Sequence, residues 1–266
     1  MPFAENNGVR LHWDAQGEGT AVLLVMGHSY SSALWYPALP AFARQHRVIT
    51  FDNRGTGASD TTRTLTVRQM AEDAVAVMDA AGVAKAHVYG VSMGGIIVQE
   101  LAMRHPERVT SLIVGCAGML TAEKPRAPAA ARLLYHLPPR LLKRLLAAVQ
   151  GDKSYGSAAT ATVIAADRAV LAKDTFTKHG LLAQANAMAH YTTTREAIAG
   201  LTLPALVLHG DEDGLVPFAW GEELAQALPN SSFVRLEGAS HNFLVAQRDK
   251  ANAAVLDFIR RVDETA

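Results

Sequence analysis

The chain has 266 residues, which is enough to bury a substantial core as one α/β domain or as two small domains. Lys+Arg and Asp+Glu both number 25, so there is no overall charge excess that would attract nucleic acid or an anionic membrane surface. The single cysteine, Cys116, excludes an intrachain disulfide framework and fits a reducing compartment.

The beginning of the chain has the features of neither a secretory signal nor a membrane anchor. It lacks a basic start followed by an apolar stretch, and no apolar run approaches the ~20 residues that cross a bilayer. We therefore expect a soluble, cytoplasmic protein that binds neither membrane nor nucleic acid. The sequence does not indicate an oligomeric state.

The first predicted elements are strands. Asn7 and Gly8 form a common turn pair, and residues 9–13 after them alternate between apolar and polar, which predicts an antiparallel pair at a sheet edge. Further along the chain, continuous apolar runs are typical of strands that are buried on both faces. These runs are residues 21–26, 48–51, 86–89, 111–114 and 205–208.

Helical patterns lie between these runs. Thr66 and Gln69 have the spacing of a capping box, and apolar residues then recur at helical spacing from Met70 until Gly82 ends the helix. Strands that alternate with helices predict the α/β class, with a mostly parallel central sheet covered by helices on both faces.

The third apolar run ends in a sharp turn at residues 90–94, Gly-Val-Ser-Met-Gly, with Ser92 at its centre. The helical pattern of residues 96–105 follows, so the serine lies between a strand and a helix. Such a turn strains the backbone of the serine, and only small flanking residues permit it. The hydroxyl emerges beside a helix N-terminus, where negative charge is favoured. We predict that Ser92 is a nucleophile rather than part of a purely structural turn.

Residues 120–200 break the alternation of strands and helices. The segment is rich in alanine, and Pro125, Pro128 and the pair Pro138 and Pro139 separate its predicted helices. Its flanks return to strand-like runs, which favours a cap inserted over a site. We therefore predict a core formed by residues 1–119 and 201–266, and a helical cap or lid formed by residues 120–200.

A serine nucleophile requires a base, and His241 is the best placed of the ten histidines. It follows the strand-like residues 233–236 and precedes the last predicted helix, at the sheet edge where Ser92 should emerge. Most of the other histidines fall near helix ends, in strand patterns or in the helical insertion. Cys116 ends an apolar run, so we interpret it as a small buried filler rather than a reactive thiol.

The base in turn requires an acidic group that fixes its tautomer and stabilises its protonated form. The loop at residues 210–217 carries three carboxylates, Asp211, Glu212 and Asp213. Spacing alone does not choose among them, and at least two of them have an ordinary place before a helix.

These segments resemble the α/β-hydrolase fold family over nearly the whole chain. The matching pieces are the turn at Ser92, the loop of residues 52–59, and the segments 210–217 and 238–241, in the order Ser, Asp, His. The resemblance implies that Asp213, three residues after Gly210, is the acid. It also implies that Asp211 stabilises the loop. Some members carry the acid after the strand that follows the nucleophile helix, but residues 115–118 contain no carboxylate.

The same resemblance implies an oxyanion hole made of backbone N–H groups. Met93 supplies one of them. In the family the second follows a His-Gly pair, whereas this chain has Met26, Gly27 and His28 at that place. Gly27 keeps the close approach of the backbone to the substrate, and the N–H of His28 is the expected second donor.

Neither a metal nor a cofactor is expected. His28 has no partner ligands at metal-binding spacing. The loop of residues 52–59 fits neither a Walker loop nor a dinucleotide fingerprint, and Arg54 is expected to brace it through an ion pair or carbonyl contacts.

The resemblance is nearest to small esterases, enol-lactonases and perhydrolases. It implies hydrolysis of a small-molecule carboxylic ester or lactone through an acyl-enzyme on Ser92. C–C bond hydrolysis or perhydrolysis by the same residues, and a receptor-like binding module, remain alternatives. Epoxide hydrolases and haloalkane dehalogenases are disfavoured because they use an aspartate where Ser92 stands. An enol-lactonase would need cap cations for its carboxylate substrates, and the candidates are Arg126, Arg132, Arg140, Arg144, Arg168 and Arg195.

Overall fold

The computed structural model describes residues 2–125, 137–138, 141–142 and 151–265. Within them, eight strands form one sheet in the order β1-β2-β4-β3-β5-β6-β7-β8. The strands are β1 Phe3–Asn6, β2 Val9–Gln16, β3 Ala21–Val25, β4 Arg47–Phe51, β5 Ala86–Val91, β6 Val109–Gly115, β7 Ala205–Gly210 and β8 Ser231–Leu236.

The sheet is antiparallel at one edge and parallel elsewhere. β1 pairs with β2, and β2 with β4, in antiparallel register, whereas the pairs from β4 through β3, β5, β6 and β7 to β8 are parallel. Asn7 and Gly8 both have positive φ, 52° and 75°, as a two-residue hairpin turn requires. The predicted hairpin is confirmed. The parallel strands all end at one edge of the sheet, which we call the carboxyl edge.

Helices follow the strands in the expected alternation. They are α1 Leu39–Phe42, α2 Val67–Ala80, α3 Met93–Arg104, α4 Ala161–Leu171, α5 Lys178–His190, α6 Arg195–Ala199, α7 Phe218–Ala227, α8 Phe243–Ala246 and α9 Arg248–Asp263. Thr66 and Gln69 form the predicted capping box at the start of α2. Gly82 follows the helix with a φ of 66°.

Apolar side chains fill both sides of the sheet. Along β3, Leu23 and Val25 belong to a core layer with α2 and α3, whereas Val22 and Leu24 belong to a second layer with α9. A strand buried on both faces needs a continuous apolar run rather than an alternating one, and the sequence has such a run here. The predicted α/β class, with a mostly parallel sheet between helices, is confirmed.

The described parts of residues 120–200 contact the loops of the carboxyl edge. The Gln184 side chain accepts a hydrogen bond from the Ser29 backbone and donates one to the Arg54 carbonyl, at 3.0 and 2.9 Å. On the other side, the Tyr155 carbonyl accepts a hydrogen bond from the backbone of Ser240. The division into core and cap stays a prediction. Pro128 and Pro139 lie outside the described residues. No helix in the described ranges is long and apolar enough to cross a membrane.

Candidate active site

Ser92 occupies the sharp turn between β5 and α3. Its backbone has φ 54° and ψ −121°, a strained conformation for a residue with a side chain. The turn is so tight that a β-carbon on Gly90 would lie 2.1 Å from the carbonyl oxygen of Gly94. A β-carbon on Gly94 would lie 2.0 Å from the carbonyl oxygen of Val25. Glycine is therefore the residue that both positions accept.

Three side chains from separate loops form one chain of hydrogen bonds at the carboxyl edge. Ser92 Oγ lies 3.0 Å from His241 Nε2, and His241 Nδ1 lies 2.8 Å from Asp213 Oδ2. The loops follow β5, β8 and β7, whose ends lie on the same edge. With Nδ1–H donating to the carboxylate, Nε2 of His241 is left to accept the proton of Ser92. This is the arrangement in which imidazole acts as a base toward a hydroxyl.

Of the three carboxylates in the loop after β7, Asp213 is the one in contact with His241. Asp211 instead accepts hydrogen bonds from the Arg235 guanidinium at 2.9 and 2.8 Å, and from the Gly238 backbone at 2.8 Å. Glu212 accepts from the backbone and hydroxyl of Ser157. Asp211 therefore ties its loop to β8 and to the turn that precedes His241.

The Asp213 carboxylate is fully buried and has a donor on every side. Oδ1 accepts the backbone N–H groups of Leu215 and Val216, each at 2.9 Å. Oδ2 accepts from His241 and lies 3.3 Å from Nε2 of His209. Burial by itself would raise the pKa of Asp213, but the hydrogen bonds from His209 and His241 and the charge of His241 hold that pKa well below its ordinary value. The Asp213 carboxyl therefore stays ionised at neutral pH.

Gly27 lies directly against the serine. A β-carbon on Gly27 would lie 3.2 Å from the β-carbon of Ser92, so the backbone at this strand end borders Ser92. Both residues line the same cavity as His28, while Met93 begins α3 immediately after Ser92. The N–H groups expected to form the oxyanion hole thus belong to the two segments that border Ser92.

The loop around His28 is fixed by residues that the sequence did not point to. Asn53 Nδ2 donates to the Met26 carbonyl at 3.0 Å, and Gln184 accepts the backbone N–H of the next residue, Ser29. His28 Nε2 donates to the Leu181 carbonyl at 3.1 Å. Burial lowers the pKa of His28, and the bond to Leu181 opposes this only in part, so its ring is neutral at pH 7. Asn53 falls in a turn motif and Gln184 in a helix, and neither pattern signals a contact with this loop.

A cavity of about 500 Å³ opens onto Ser92 and His241. Its described lining is mainly apolar and includes Leu34, Val91, Leu171, Leu215, Phe243 and Leu244. Asp167 also lines it, only 2% exposed, and accepts hydrogen bonds from the hydroxyls of Tyr36 and Tyr155 at 2.8 and 2.6 Å. Burial and the contact with Asp167 raise the pKa of both tyrosines, so both remain donors.

Comparison with known proteins identifies the family of this chain. The model of the alpha/beta hydrolase fold family matches residues 20–246. The chain belongs to this family. RutD of Azorhizobium caulinodans, provisionally named a carbamate hydrolase, is 30% identical over 286 residues that span 99% of this chain and 100% of that protein.

Two solved structures of the family superpose closely. The enol-lactonase of Burkholderia xenovorans LB400 has a TM-score of 0.86 and 26% identity, and the match covers 97% of this chain and 100% of that one. A thermophilic esterase of Thermogutta terrifontis, solved with malate bound, has a TM-score of 0.86 and 25% identity over 98% of both chains. The family resemblance inferred from the motifs is confirmed, and it supports a hydrolase.

The candidate cap cations do not line the cavity where the structure describes them. Arg168 pairs with Asp152 on the surface at 2.6 Å, and neither Arg168 nor Arg195 is part of the described lining. Arg126, Arg132, Arg140 and Arg144 lie outside the described residues. Across the described ranges, no group of three or more His, Cys, Asp or Glu side chains could hold a metal ion.

The surroundings of Cys116 are those of a buried side chain rather than of a reactive thiol. Cys116 is 2% exposed, and burial raises the pKa of its thiol well above the ordinary value, which disfavours the reactive thiolate. It nevertheless forms part of the cavity wall.

The buried guanidinium of Arg54 donates to both oxygens of Asp73 on α2, each at 2.6 Å, so the loop of residues 52–59 is braced by an ion pair.

Proposed function

We propose that this family member is a serine hydrolase that cleaves a small carboxylic ester or lactone through an acyl-enzyme on Ser92. The observation that carries the proposal is the hydrogen-bonded chain from Ser92 through His241 to Asp213, which lies beside a cavity lined by Ser92 and His241. The esterase and enol-lactonase among the similar structures are in accord with it.

In the first half-reaction His241 acts as base and then as acid. Its Nε2 takes the proton from Ser92 Oγ as that oxygen attacks the carbonyl carbon, and a tetrahedral intermediate forms. The N–H groups of His28 and Met93 receive the negative charge on the former carbonyl oxygen. The proton then passes from Nε2 to the leaving alkoxide, which departs as an alcohol and leaves the acyl group on Ser92.

In the second half-reaction a water molecule takes the place of the alcohol. His241 removes a proton from the water as its oxygen attacks the acyl carbon, and then returns a proton to Ser92 Oγ as the ester bond breaks. Throughout, Asp213 stays ionised and stabilises the imidazolium that forms at each step, as its lowered pKa requires.

The cavity favours a substrate of modest size with an apolar portion. Its volume of about 500 Å³ falls within the range of small-molecule sites, and most of its described lining is aliphatic or aromatic. C–C bond hydrolysis and perhydrolysis would use the same three residues. The similarity to RutD makes carbamates a further candidate class of substrate. A screen of uncharged esters, lactones and carbamates of graded length orders these candidates.

A fluorophosphonate probe and p-nitrophenyl acetate together test the proposal. We expect the probe to label Ser92 and the enzyme to turn over the ester many times. Ser92→Ala should abolish labelling and lower kcat at least about 10⁴-fold. Ser232→Ala, a change of an exposed serine on β8, is the matched control and should leave both unchanged. Labelling without turnover would favour a receptor-like module, and turnover by Ser92→Ala would overturn the mechanism.

A further inference from the structure

A second histidine contacts the same carboxylate oxygen as the base does. His209, the fifth residue of β7, is fully buried, and its Nε2 lies 3.3 Å from Asp213 Oδ2 and 3.0 Å from the Val216 carbonyl oxygen. In the sequence it is only part of an apolar strand, and no spacing rule connects it with Asp213. We propose that His209 is a positioning residue that fixes Oδ2 of Asp213 in the place where His241 needs it. The inference rests on the proposed function.

The surroundings of the ring decide which nitrogen carries the proton. Nδ1 of His209 is buried and has no hydrogen-bond partner among the described residues. A proton on Nδ1 would therefore be a buried donor without an acceptor, which is costly, whereas a proton on Nε2 has two acceptors. The arrangement therefore favours a proton on Nε2, which lies 3.0 Å from the Val216 carbonyl oxygen and 3.3 Å from Asp213 Oδ2.

Packing holds this ring in place. A β-carbon on Gly221 would lie 2.3 Å from Nδ1 of His209, so the backbone of α7 packs directly against that nitrogen. The Phe218 ring meets the imidazole edge-on, with centroids 5.9 Å apart and planes at 88°. The position of Nε2–H is therefore set by α7 and β7. Through it, the two elements fix the carboxylate.

His209 and His241 both lie against Oδ2 of Asp213. Backbone N–H groups of Leu215 and Val216 hold Oδ1, while among the described residues the two groups next to Oδ2 are the imidazoles of His241 at 2.8 Å and His209 at 3.3 Å. Without His209, Oδ2 would keep the imidazole of His241 alone and could shift, while Oδ1 stays held by the two backbone N–H groups. His209 does not line the cavity, so its loss should slow the chemical steps and leave substrate binding unchanged.

Two substitutions in the full chain separate this role from simple packing. His209→Leu removes the donor, whereas His209→Gln keeps an amide N–H that can reach Oδ2. With p-nitrophenyl acetate we expect His209→Leu to lower kcat about 10- to 100-fold, the worth of one hydrogen bond to a charged group, with KM within about twofold. His209→Gln should recover most of kcat. His209→Phe, which keeps a ring of similar size, replaces the leucine variant if that variant does not fold.

His87 supplies the matched control. It is also a buried strand histidine, on β5, with hydrogen bonds to Ser111 and Asp263 at 2.8 and 2.9 Å. His87→Leu and His87→Gln should lower Tm to a similar degree as the changes at His209, yet leave kcat unchanged. Rates are expressed per active site titrated with the fluorophosphonate, so partial unfolding does not imitate a loss of kcat.

Proton NMR gives a second measurement that does not depend on turnover. The hydrogen between His241 Nδ1 and Asp213 should give a strongly downfield resonance in the native protein and in His209→Gln, and that resonance should weaken or move upfield in His209→Leu. An unchanged resonance and kcat in His209→Leu, or equal losses in the leucine and glutamine variants, would overturn the positioning role. If the native protein neither reacts with the probe nor turns over the ester, the proposed function fails instead, and the resonance alone decides the role of His209.

Discussion

A serine, a histidine and an aspartate lie within hydrogen-bond distance of one another near each end of the parallel strands. At the carboxyl edge these are Ser92, His241 and Asp213. At the opposite edge Ser111 Oγ lies 2.8 Å from Nδ1 of His87, and Asp263 Oδ1 lies 2.9 Å from Nε2 of the same ring. By residue type and distance the two sets are alike. Only the first has the surroundings that a reaction needs.

The difference lies in the backbone and in the space around the serine. Ser92 has a φ of 54° at a helix start and borders the cavity, whereas Ser111 is fully buried within β6. A substrate carbonyl therefore has room beside Ser92 and none beside Ser111. The orientation of the imidazole is also reversed, since His87 turns Nδ1 toward its serine and His241 turns Nε2 toward Ser92. A hydrogen-bonded triple is thus not sufficient evidence of a catalytic site.

The largest expected contrast is between the two aspartates. Asp213→Asn should lower kcat for p-nitrophenyl acetate by about 10⁴-fold, because an amide neither fixes the His241 tautomer nor stabilises the imidazolium. Asp263→Asn should leave kcat unchanged and lower the free energy of unfolding by about 1 kcal/mol, through the weakened bond to His87. Steady-state kinetics and urea unfolding of the two variants measure both effects.

Asp211→Asn serves as the nearby control for this contrast. It lies in the same loop as Asp213 but contacts Arg235 and Gly238 rather than His241. We expect kcat within about threefold of the native value, since an ion pair with the exposed guanidinium of Arg235 contributes little. A larger loss from Asp211→Asn than from Asp213→Asn would show that the acid has been assigned to the wrong residue.

A smaller effect is expected at Gly27, which has no counterpart in the second triple. A β-carbon there would lie 3.2 Å from that of Ser92, close enough to displace the serine or the strand end by a few tenths of an ångström. We expect Gly27→Ala to lower kcat/KM roughly 10-fold while Tm changes little, because small displacements of reacting groups are costly. Gly200→Ala, where a β-carbon would come no closer than 3.4 Å to another residue and which does not line the cavity, is the control. Equal kinetics for Gly27→Ala and native protein would remove this segment from the proposed oxyanion hole.

Much of the fold was predictable because local and long-range signals agree. The capping box at Thr66, the turn at Asn7 and the continuous apolar runs each have one favourable structure, and the alternation of strands and helices combines them into a parallel sheet. The proximity of Ser92 and His241 could also be predicted from the sequence, since the loops that follow parallel strands lie at the same edge of the sheet. The choice of Asp213 over its two neighbours depended on the family resemblance, because loop geometry is not encoded in spacing.

Some of the residues that were not predicted contact partners that are far away in the sequence. Gln184 accepts a hydrogen bond from Ser29, which is 155 positions away, and Asn53 donates one to the Met26 carbonyl. No periodic pattern in the sequence predicts either hydrogen bond. His209 is only four residues from Asp213, but a strand residue and a loop residue have no fixed spacing that brings them together. The contribution of Asp167 to the cavity wall was equally hidden, because Asp167 resembles any polar residue of a helix.

The smallest expected effect is a pH dependence of stability that arises at Ser111, His87 and Asp263, the second set of three residues. Burial lowers the pKa of His87 from 6.5, and Asp263 opposes this only in part. The unfolded chain therefore takes up a proton near pH 6.5 that the folded chain binds only at lower pH. The contribution of His87 to stability is fully present above that pH and is lost as the pH falls toward its lowered pKa.

Because glutamine does not titrate, His87→Gln should show a shallower decline in the free energy of unfolding between about pH 7 and pH 5, measured by urea titration. Burial also lowers the pKa values of His28 and His46, so part of the decline should persist. An identical decline in the native protein and in His87→Gln would mean that His87 binds its proton equally well in the folded and unfolded chains.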